Sequence, residues 1–482
     1  MSLLTKASLI ATPTAYGDGV LNSVKPTNGD GDFDFARASA STRVTEQGLI
    51  EKERGNILLQ SNTFDTTWVT ANTTLTSGQS GYDGSNDAWL LNKTASAANI
   101  QLSVSTSGVN TFSYYAKAGS VDWTRLLILG STSASTYINL TNGSIGVGGG
   151  GFIDATATDV GSGWYRVSIT HSTAITQVRI YPAPADNDTS GTSGNIYIQD
   201  AQLEQGLVAT DYIETTTTAV YEGITNDIPR INYENGIGSF LLEPQRTNID
   251  PNGEYLANRP IVVNVSTTTN SIDSPEGVSN ATLITNNTTS GQHQLTDNAL
   301  SVTSGTDYTI SLFLKYNDAQ YVRLQFGGVP FGSTNWQNFD VQNGTKGSNG
   351  GGITSADASI EDYGNGWYRC IVTADATATG SNGAFQIRIL EDDNTSDIPS
   401  FSGTGLSTYA WGSQFEASSY PTSYIPTYGS SVTFASETCN NAGDSSLFND
   451  SEGVLYAEMA ALDSSVQQLS ISDSTTANAI KF

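Results

Sequence analysis

Charge is scarce in this chain, and positive charge scarcer still. Only 14% of its 482 residues are Asp, Glu, Lys or Arg, against about 25% in an ordinary soluble protein. Twenty Lys and Arg face 47 Asp and Glu, a net charge of -27. Phosphate backbones repel such a surface, so direct nucleic-acid binding is not expected. The excess acid reads as a solvated, aggregation-resistant exterior; the alternative is divalent-cation dependence or salty surroundings, where repulsion is screened. Cys370 and Cys439 are the only cysteines, too few for a disulfide framework. Cys370 follows Tyr368-Arg369 in a strand-like run and reads as a small core residue. The only histidines, His171 and His293, stand at unrelated places, which argues against a serine-histidine triad or a His-based zinc site. No run reaches 18 apolar residues, so no membrane insertion is expected. Residues 1–12 lack the basic start and apolar stretch of a signal peptide. Long helical periodicity is missing too.

What the chain has is the same module twice. Gly161-Ser162-Gly163-Trp164-Tyr165-Arg166 returns as Gly364-Asn365-Gly366-Trp367-Tyr368-Arg369. Arg54-Gly55-Asn56 returns as Arg246-Thr247-Asn248, and Asp83-Gly84 as Glu276-Gly277. Lys117 and Arg125 answer to Lys315 and Arg323, and Asn142-Gly143 to Asn343-Gly344. Gln202-Leu203-Glu204 with Tyr212-Ile213 answers to Gln414-Phe415-Glu416 with Tyr424-Ile425. The matches keep their order while their separation widens, which means one fold used twice with loop insertions in the second copy.

Period-two alternation marks the strands. Tyr308, Ile310, Leu312 and Leu314 alternate with Thr309, Ser311, Phe313 and Lys315; Val178 and Ile180 flank Arg179. Each pattern sets one face on a core and one toward water. Asn142-Gly143 and Asn343-Gly344 sit between strand-like runs as tight hairpin turns. With 48 Gly for turns and 7 Trp, 22 Tyr and 16 Phe for cores, the expected class is all-β: tandem antiparallel jelly-roll β-sandwiches behind an N-terminal anchoring segment. The divisions are 1–53 for that segment, 54–220 and 246–434 for the two modules, 221–245 for a connector, and 435–482 for a further β piece. In that last piece Gly453 to Glu458 and Gln468 to Ser472 read as strands, either starting a third β domain or serving as an oligomerisation tail.

No catalytic constellation stands out, and the chain is not expected to be an enzyme. Trp164 with Arg166, and Trp367 with Arg369, share a strand face. They read as a Trp lid with an Arg stacked over it or tied to Asp159 and Asp362. Glu204 and Glu416 read as structural, closing the last strand against a turn. Trp123 and Trp336 lie near loops with no Trp in the other copy; they are the candidates for ligand contact, or else core edges. Acid-rich turns recur at Asp186-Asn187-Asp188 and at Glu391-Asp392-Asp393-Asn394. In the second, Asp392, Asp393 and Asp397 supply oxygens packed closely enough to hold Ca2+; solvated turns are the alternative. No other cofactor is expected.

Several stretches together resemble bacteriophage head-fibre and tail-fibre structural proteins with carbohydrate-binding-like jelly-roll modules. They are residues 38–50, Leu241-Leu242-Glu243-Pro244-Gln245-Arg246-Thr247-Asn248, the Gly-x-Gly-Trp-Tyr-Arg motif, and Gln414-Phe415-Glu416 running on to Pro421-Thr422-Ser423-Tyr424-Ile425-Pro426. Residues 9–26 look like the N-termini of such fibres in crAss-like and marine phages. The residues from Gly453 look like the start of a laminin-G or concanavalin-like sandwich. The resemblance implies a virion component, commonly a homotrimer, and no known ligand. The chain reads as a head or tail fibre or decoration protein, anchored to capsid or tail proteins through its N-terminal segment and projecting its modules for host or surface attachment, with a host surface glycan as a candidate ligand. A glycan depolymerase or glycosidase, and a secreted bacterial adhesin, are the rival readings.

Overall fold

A computed structural model describes residues 3–234, 236–332, 335–448, 452–460, 470–472 and 479–481. Two antiparallel jelly-roll sandwiches carry most of the strand. In the first, the front sheet runs Ile145–Gly149, Ala134–Asn139, Trp123–Gly130, Ile175–Ala183, Asn99–Ser103, Val69–Ala71. Its back sheet runs Phe152–Gly161, Trp164–His171, Asn110–Ala118, Asn195–Gln205, Ala88–Lys93, Thr73–Gln79. The second sandwich repeats both orders strand for strand. Its front sheet is Thr345–Gly350, Trp336–Asp340, Tyr321–Gly327, Gly380–Leu390, Gln294–Val302, Ile261–Val263; its back sheet is Ala358–Asp362, Trp367–Asp375, Asp307–Tyr316, Ser407–Glu416, Thr282–Asn286, Val265–Thr268.

Alternation fills each interior. Ile100, Leu126, Ile128 and Ile180 of the first front sheet meet Phe112, Tyr114, Val167 and Ile169 of its back sheet. Ile310, Leu312, Val322, Phe326, Ile387 and Phe415 do the same in the second. Each such side chain stabilises its sandwich by about 1.5–3 kcal/mol on burial. The Asn-Gly turns join adjacent front strands in both copies, with Gly143 at φ +71 and Gly344 at φ +65.

A short strand pair closes each module: Arg54–Asn56 with Val220–Glu222, and Arg246–Asn248 with Val432–Phe434. The buried Asn56 amide donates to the Ala201 and Ile213 carbonyls and accepts from the Leu58 and Leu203 N–H groups. Asn248 makes the same four bonds to Ser413, Ile425, Asp250 and Phe415. One side chain thus holds the entry strand, the last strand and the chain beyond it, which explains why this Asn recurs.

The N-terminal residues and those just past each module form a third layer. Ile10–Gly17, Val20–Lys25 and Phe33–Ala36 make a sheet completed by Thr438–Asn440. Beside it Arg37 and Arg230 share the Glu437 carboxylate, and Arg230 also reaches Glu243. Buried ions of this kind are tolerable only when paired and fully bonded; Arg37 donates further to the Ser39, Thr225 and Ile228 carbonyls. The hairpin Thr42–Val44 with Ile50–Lys52 lies across the back sheet of the second sandwich, not the first. There Val44 and Ile50 pack with Phe313, Trp367, Trp411 and Tyr424. Lys52 is buried between Glu254 and Glu276, and their charges hold its ammonium well above the usual lysine range against the desolvation that would lower it.

The strand expected at Gly453 to Glu458 is not formed. Residues 452–460 carry no ladder bonds, and Val454 and Tyr456 are 97% and 82% exposed, because no strand among the described residues lies beside them. Ser470–Ser472 is a strand, paired with Ala479–Lys481; Gln468 and Leu469 lie outside the described residues.

Candidate functional site

The repeated motifs resolve into scaffolding. Trp164 and Trp367 are buried on the outer side of the back sheets. Their arginines do not stack on them. Arg166 lies 5.3 Å from the Tyr115 ring and Arg369 5.5 Å from the Phe313 ring, on the adjacent strand. Nor are they tied to Asp159 and Asp362. Those carboxylates accept from the Gly161 and Gly364 N–H groups at 2.8 Å and close the turn before each Trp. Cross-strand register places each Arg opposite a ring (Arg166 opposite Tyr115, Arg369 opposite Phe313), out of reach of the turn.

Glu204 accepts from the Thr210 N–H and hydroxyl and from the Gln202 amide; Glu416 does so from Thr422 and Gln414. Burial pushes both carboxyls up, while these donors favour the charged form. Each glutamate fastens the last strand to the turn that follows. His171 is bonded to the Thr132 and Thr173 hydroxyls and the Gly151 carbonyl, and His293 to backbone oxygens of Asn264 and Phe401.

The outer faces of the two front sheets part company. In the second sandwich Arg323, Gln325, Trp336, Asn338 and Arg388 are all at most 3% exposed, sealed by the insertion after Leu390. Arg323 donates to the Asn394 and Ser396 carbonyls at 2.6 Å and to Asn338. Its guanidinium stacks 3.5 Å from the Trp336 ring centroid, and the Trp336 indole donates to Asp397 at 2.9 Å. Burial, with Arg388 directly opposite, pulls Arg323 down to about 9. Trp336 is therefore no ligand platform; the seal that makes it a core residue comes from a loop whose path its own sequence neighbourhood does not reveal.

The turn expected to hold Ca2+ is part of this seal. Asp393 accepts from Asn338 and from the Ser348 N–H and hydroxyl, Asp397 from Trp336, and Asp392 is exposed. Among the described residues no three His, Cys, Asp or Glu side chains come together as a metal site. In the first copy Asp186 likewise accepts from the Val147 N–H at 2.8 Å. The acid-rich turns pin the front-sheet hairpin at equivalent places.

In the first sandwich this face is covered less completely: Tyr137, Tyr181, Leu127 and Ser135 are buried, while Trp123, Arg125, Arg179 and Gln101 stay partly exposed. Register sets Tyr137, Arg125 and Tyr181 in one cross-strand row and Ser135, Leu127, Arg179 and Gln101 in the next. Trp123 lies at the end, half-buried over Gly146, where an added Cβ would come within 2.7 Å of its ring. Arg125 sits between two rings, 5.5 Å from Tyr137 and 5.2 Å from Tyr181. Its one hydrogen-bond acceptor is Ser135, at 3.3 Å, and its buried Nε has none. Arg179 is held by Gln177 at 2.6 Å and Tyr181 at 3.3 Å. Among the described residues neither guanidinium is ion-paired. The sequence marked Trp123 and Arg125; Tyr137, Tyr181 and Arg179 were missed as a set, although alternation around Arg179 already put it on an outer face.

A second concavity, a groove of about 610 Å3, runs beside Ala358, Ile371 and Pro421 of the second sandwich. It is lined by Asp307, Asp357 and Asp375, and its one ring, Tyr420, has Arg246 stacked 5.6 Å away.

No protein-family model matches the chain, and no curated protein does. Solved structures give distant likenesses. The tandem CBM22-1–CBM22-2 domain of Xyn10C from Paenibacillus barcinonensis is 11% identical, covering 76% of this chain and 97% of its own, with a TM-score of 0.23. An exo-β-1,3-galactanase from Phanerochaete chrysosporium is 9% identical over 80% and 82% of the two chains, with a TM-score of 0.17.

Proposed function

We propose that the chain is a non-enzymatic carbohydrate-binding fibre component, with the outer front face of the first sandwich as its binding face. The observation that carries this is the contrast between copies: the same sheet face is sealed in the second sandwich and only partly covered in the first. It presents a partly exposed Trp with Arg and Gln, backed by buried Tyr rings, a mix of flat apolar and orienting polar groups of the kind saccharide recognition uses. One such site is weak, and several copies on one particle would compensate by avidity. The phage-fibre resemblance of the sequence supports the finer reading: a virion head or tail fibre, a homotrimer, attached through the layer built from its N-terminal residues.

The test is a glycan array and polysaccharide pull-down with the full chain, repeated with Trp123→Ala. Binding lost in that variant at unchanged melting temperature supports the reading; binding unaffected by it removes the face from consideration. Release of reducing ends from any bound polysaccharide would favour the depolymerase reading. Detection of the chain in purified virions tests the fibre assignment.

A further inference from the structure

We infer that the outer front face of the first sandwich selects anionic saccharides, those bearing a carboxylate or a sulfate, through Arg125 and Arg179. This rests on the carbohydrate-binding reading and names the ligand class.

A chain of net charge -27 with only 20 Lys and Arg has carboxylates to spare for every cation. It pairs Arg37, Arg43, Lys52, Arg230 and Arg259 with acids. Like Arg388, Arg125 and Arg179, partly buried in adjacent rows of one face, have only neutral hydrogen-bond partners among the described residues; unlike Arg388 they stay partly exposed. Neutral partners fix the direction of a guanidinium without cancelling its charge. Arg125 is steadied by two rings, and Arg179 by Gln177 and the Tyr181 hydroxyl. Both forks are thereby held in place, and ordering them at binding costs little.

The second copy shows what happens when the same position is not kept for a ligand. Arg323 stands where Arg125 stands, and three backbone and side-chain oxygens of the chain itself take its donors. Two of those acceptors, the Asn394 and Ser396 carbonyls, come from the inserted loop, and the third, Asn338, from the adjacent strand; Arg125 makes no bond to the equivalent loop of the first copy among the described residues. The position that the chain fills with its own oxygens in one copy is open to a ligand's oxygens in the other.

The charge is also graded across the face. Asp186 lies against Trp123 and Gly146 at one end, and both Asp186 and Asp188 act on Tyr137. Arg179 lies toward Gln101 and Gln177, and Arg125 between the two ends, over Tyr137. An anionic sugar would therefore sit with its acid group over Arg179 and a neutral ring toward Trp123. A planar carboxylate matches the fork in two parallel hydrogen bonds, and a sulfate oxygen pair can do the same.

The experiment measures binding of the full chain to three polysaccharides: a polyuronate, a sulfated galactan and a neutral glucan. Binding to either acidic polymer, weakened by added salt and about tenfold or more by Arg179→Gln at unchanged melting temperature, bears the inference out; which polymer binds identifies the acid group. Arg388→Gln, on the sealed face, should leave affinity unchanged. Binding to the neutral glucan alone, or acidic binding indifferent to Arg179→Gln, overturns the inference while leaving a carbohydrate-binding protein. Binding to none of the three, with none found on an array of neutral and acidic glycans, overturns both.

Discussion

Arg323 and Trp336 are stacked face to face, 3.5 Å from guanidinium carbon to ring centroid, on two neighbouring strands of the second front sheet. The pair is covered by backbone oxygens of residues 394 and 396 and by the Asp397 side chain. A stack of this kind contributes most when it is dry.

Opening the seal should therefore be visible at Trp336. Asp397→Ala removes the acceptor of a buried indole N–H, at a cost of about 1–3 kcal/mol. Iodide or acrylamide quenching should rise in this variant, and the rise should vanish in a Trp336→Phe background. Unchanged quenching would show that the loop is held without Asp397.

The asparagine clamps should be separately severe. Asn56→Ala and Asn248→Ala each strand two backbone carbonyls and two N–H groups in the interior. A loss of about 3 kcal/mol or more is expected for each. Calorimetry should show the loss mainly in the sandwich that carries the substitution. Equal, small effects in both would mean water replaces the amide.

Stability should fall with rising pH because of Asp200. Burial, with Asp83 and Asp87 nearby, pushes its carboxyl up to about 7. The folded chain keeps that proton between about pH 4 and 7, where the unfolded chain has released it. The contribution is thus full below about pH 4 and lost as pH climbs through 7, on the order of 4 kcal/mol. Asp200→Asn keeps an acceptor for the Tyr82 hydroxyl and tolerates the left-handed backbone there, φ +50. It should raise the melting temperature at pH 8 and not at pH 4. A parallel shift at both pH values would contradict the assignment.

Glu437→Gln should loosen the third layer. It leaves Arg37 and Arg230 buried with one carboxylate, Glu243, which reaches only Arg230. Breaking a buried pair costs about 3–5 kcal/mol. Limited proteolysis should then cut within the first 53 residues while both sandwiches survive. Protection equal to wild type would show that the layer is held by its strands alone.

The duplication was legible because its marks sit where geometry permits few residues. Asn56 and Asn248 each satisfy four backbone groups, Gly143 and Gly344 adopt positive φ, and Trp164 and Trp367 fill equivalent buried positions. The all-β class followed from alternation, which is a local signal. Long-range coverage was not legible. Trp336 and Trp123 both read as loop-side tryptophans, and what separates them is an insertion some 60 residues after Trp336. Val44 and Ile50 alternate like any hairpin, and nothing local says that they cover Trp367 instead of Trp164. The run at Gly453 has strand composition and no partner among the described residues, and a ladder needs two segments of backbone.

The sharing of Glu437 by Arg37 and Arg230 sets an order of events in synthesis. Each sandwich can bury its own interior as soon as its last strand has left the ribosome. The residues of Ile10–Gly17, Val20–Lys25 and Phe33–Ala36, made first, meet Thr438–Asn440 only 400 residues later. Until Glu437 is made Arg37 lacks its acid, and until the second sandwich folds the hairpin of residues 42–52 has nothing to lie on. The layer thus records that both sandwiches have been made: a chain halted before residue 437 can hold two folded sandwiches and still lack the sheet that residues 10–36 and 438–440 make together.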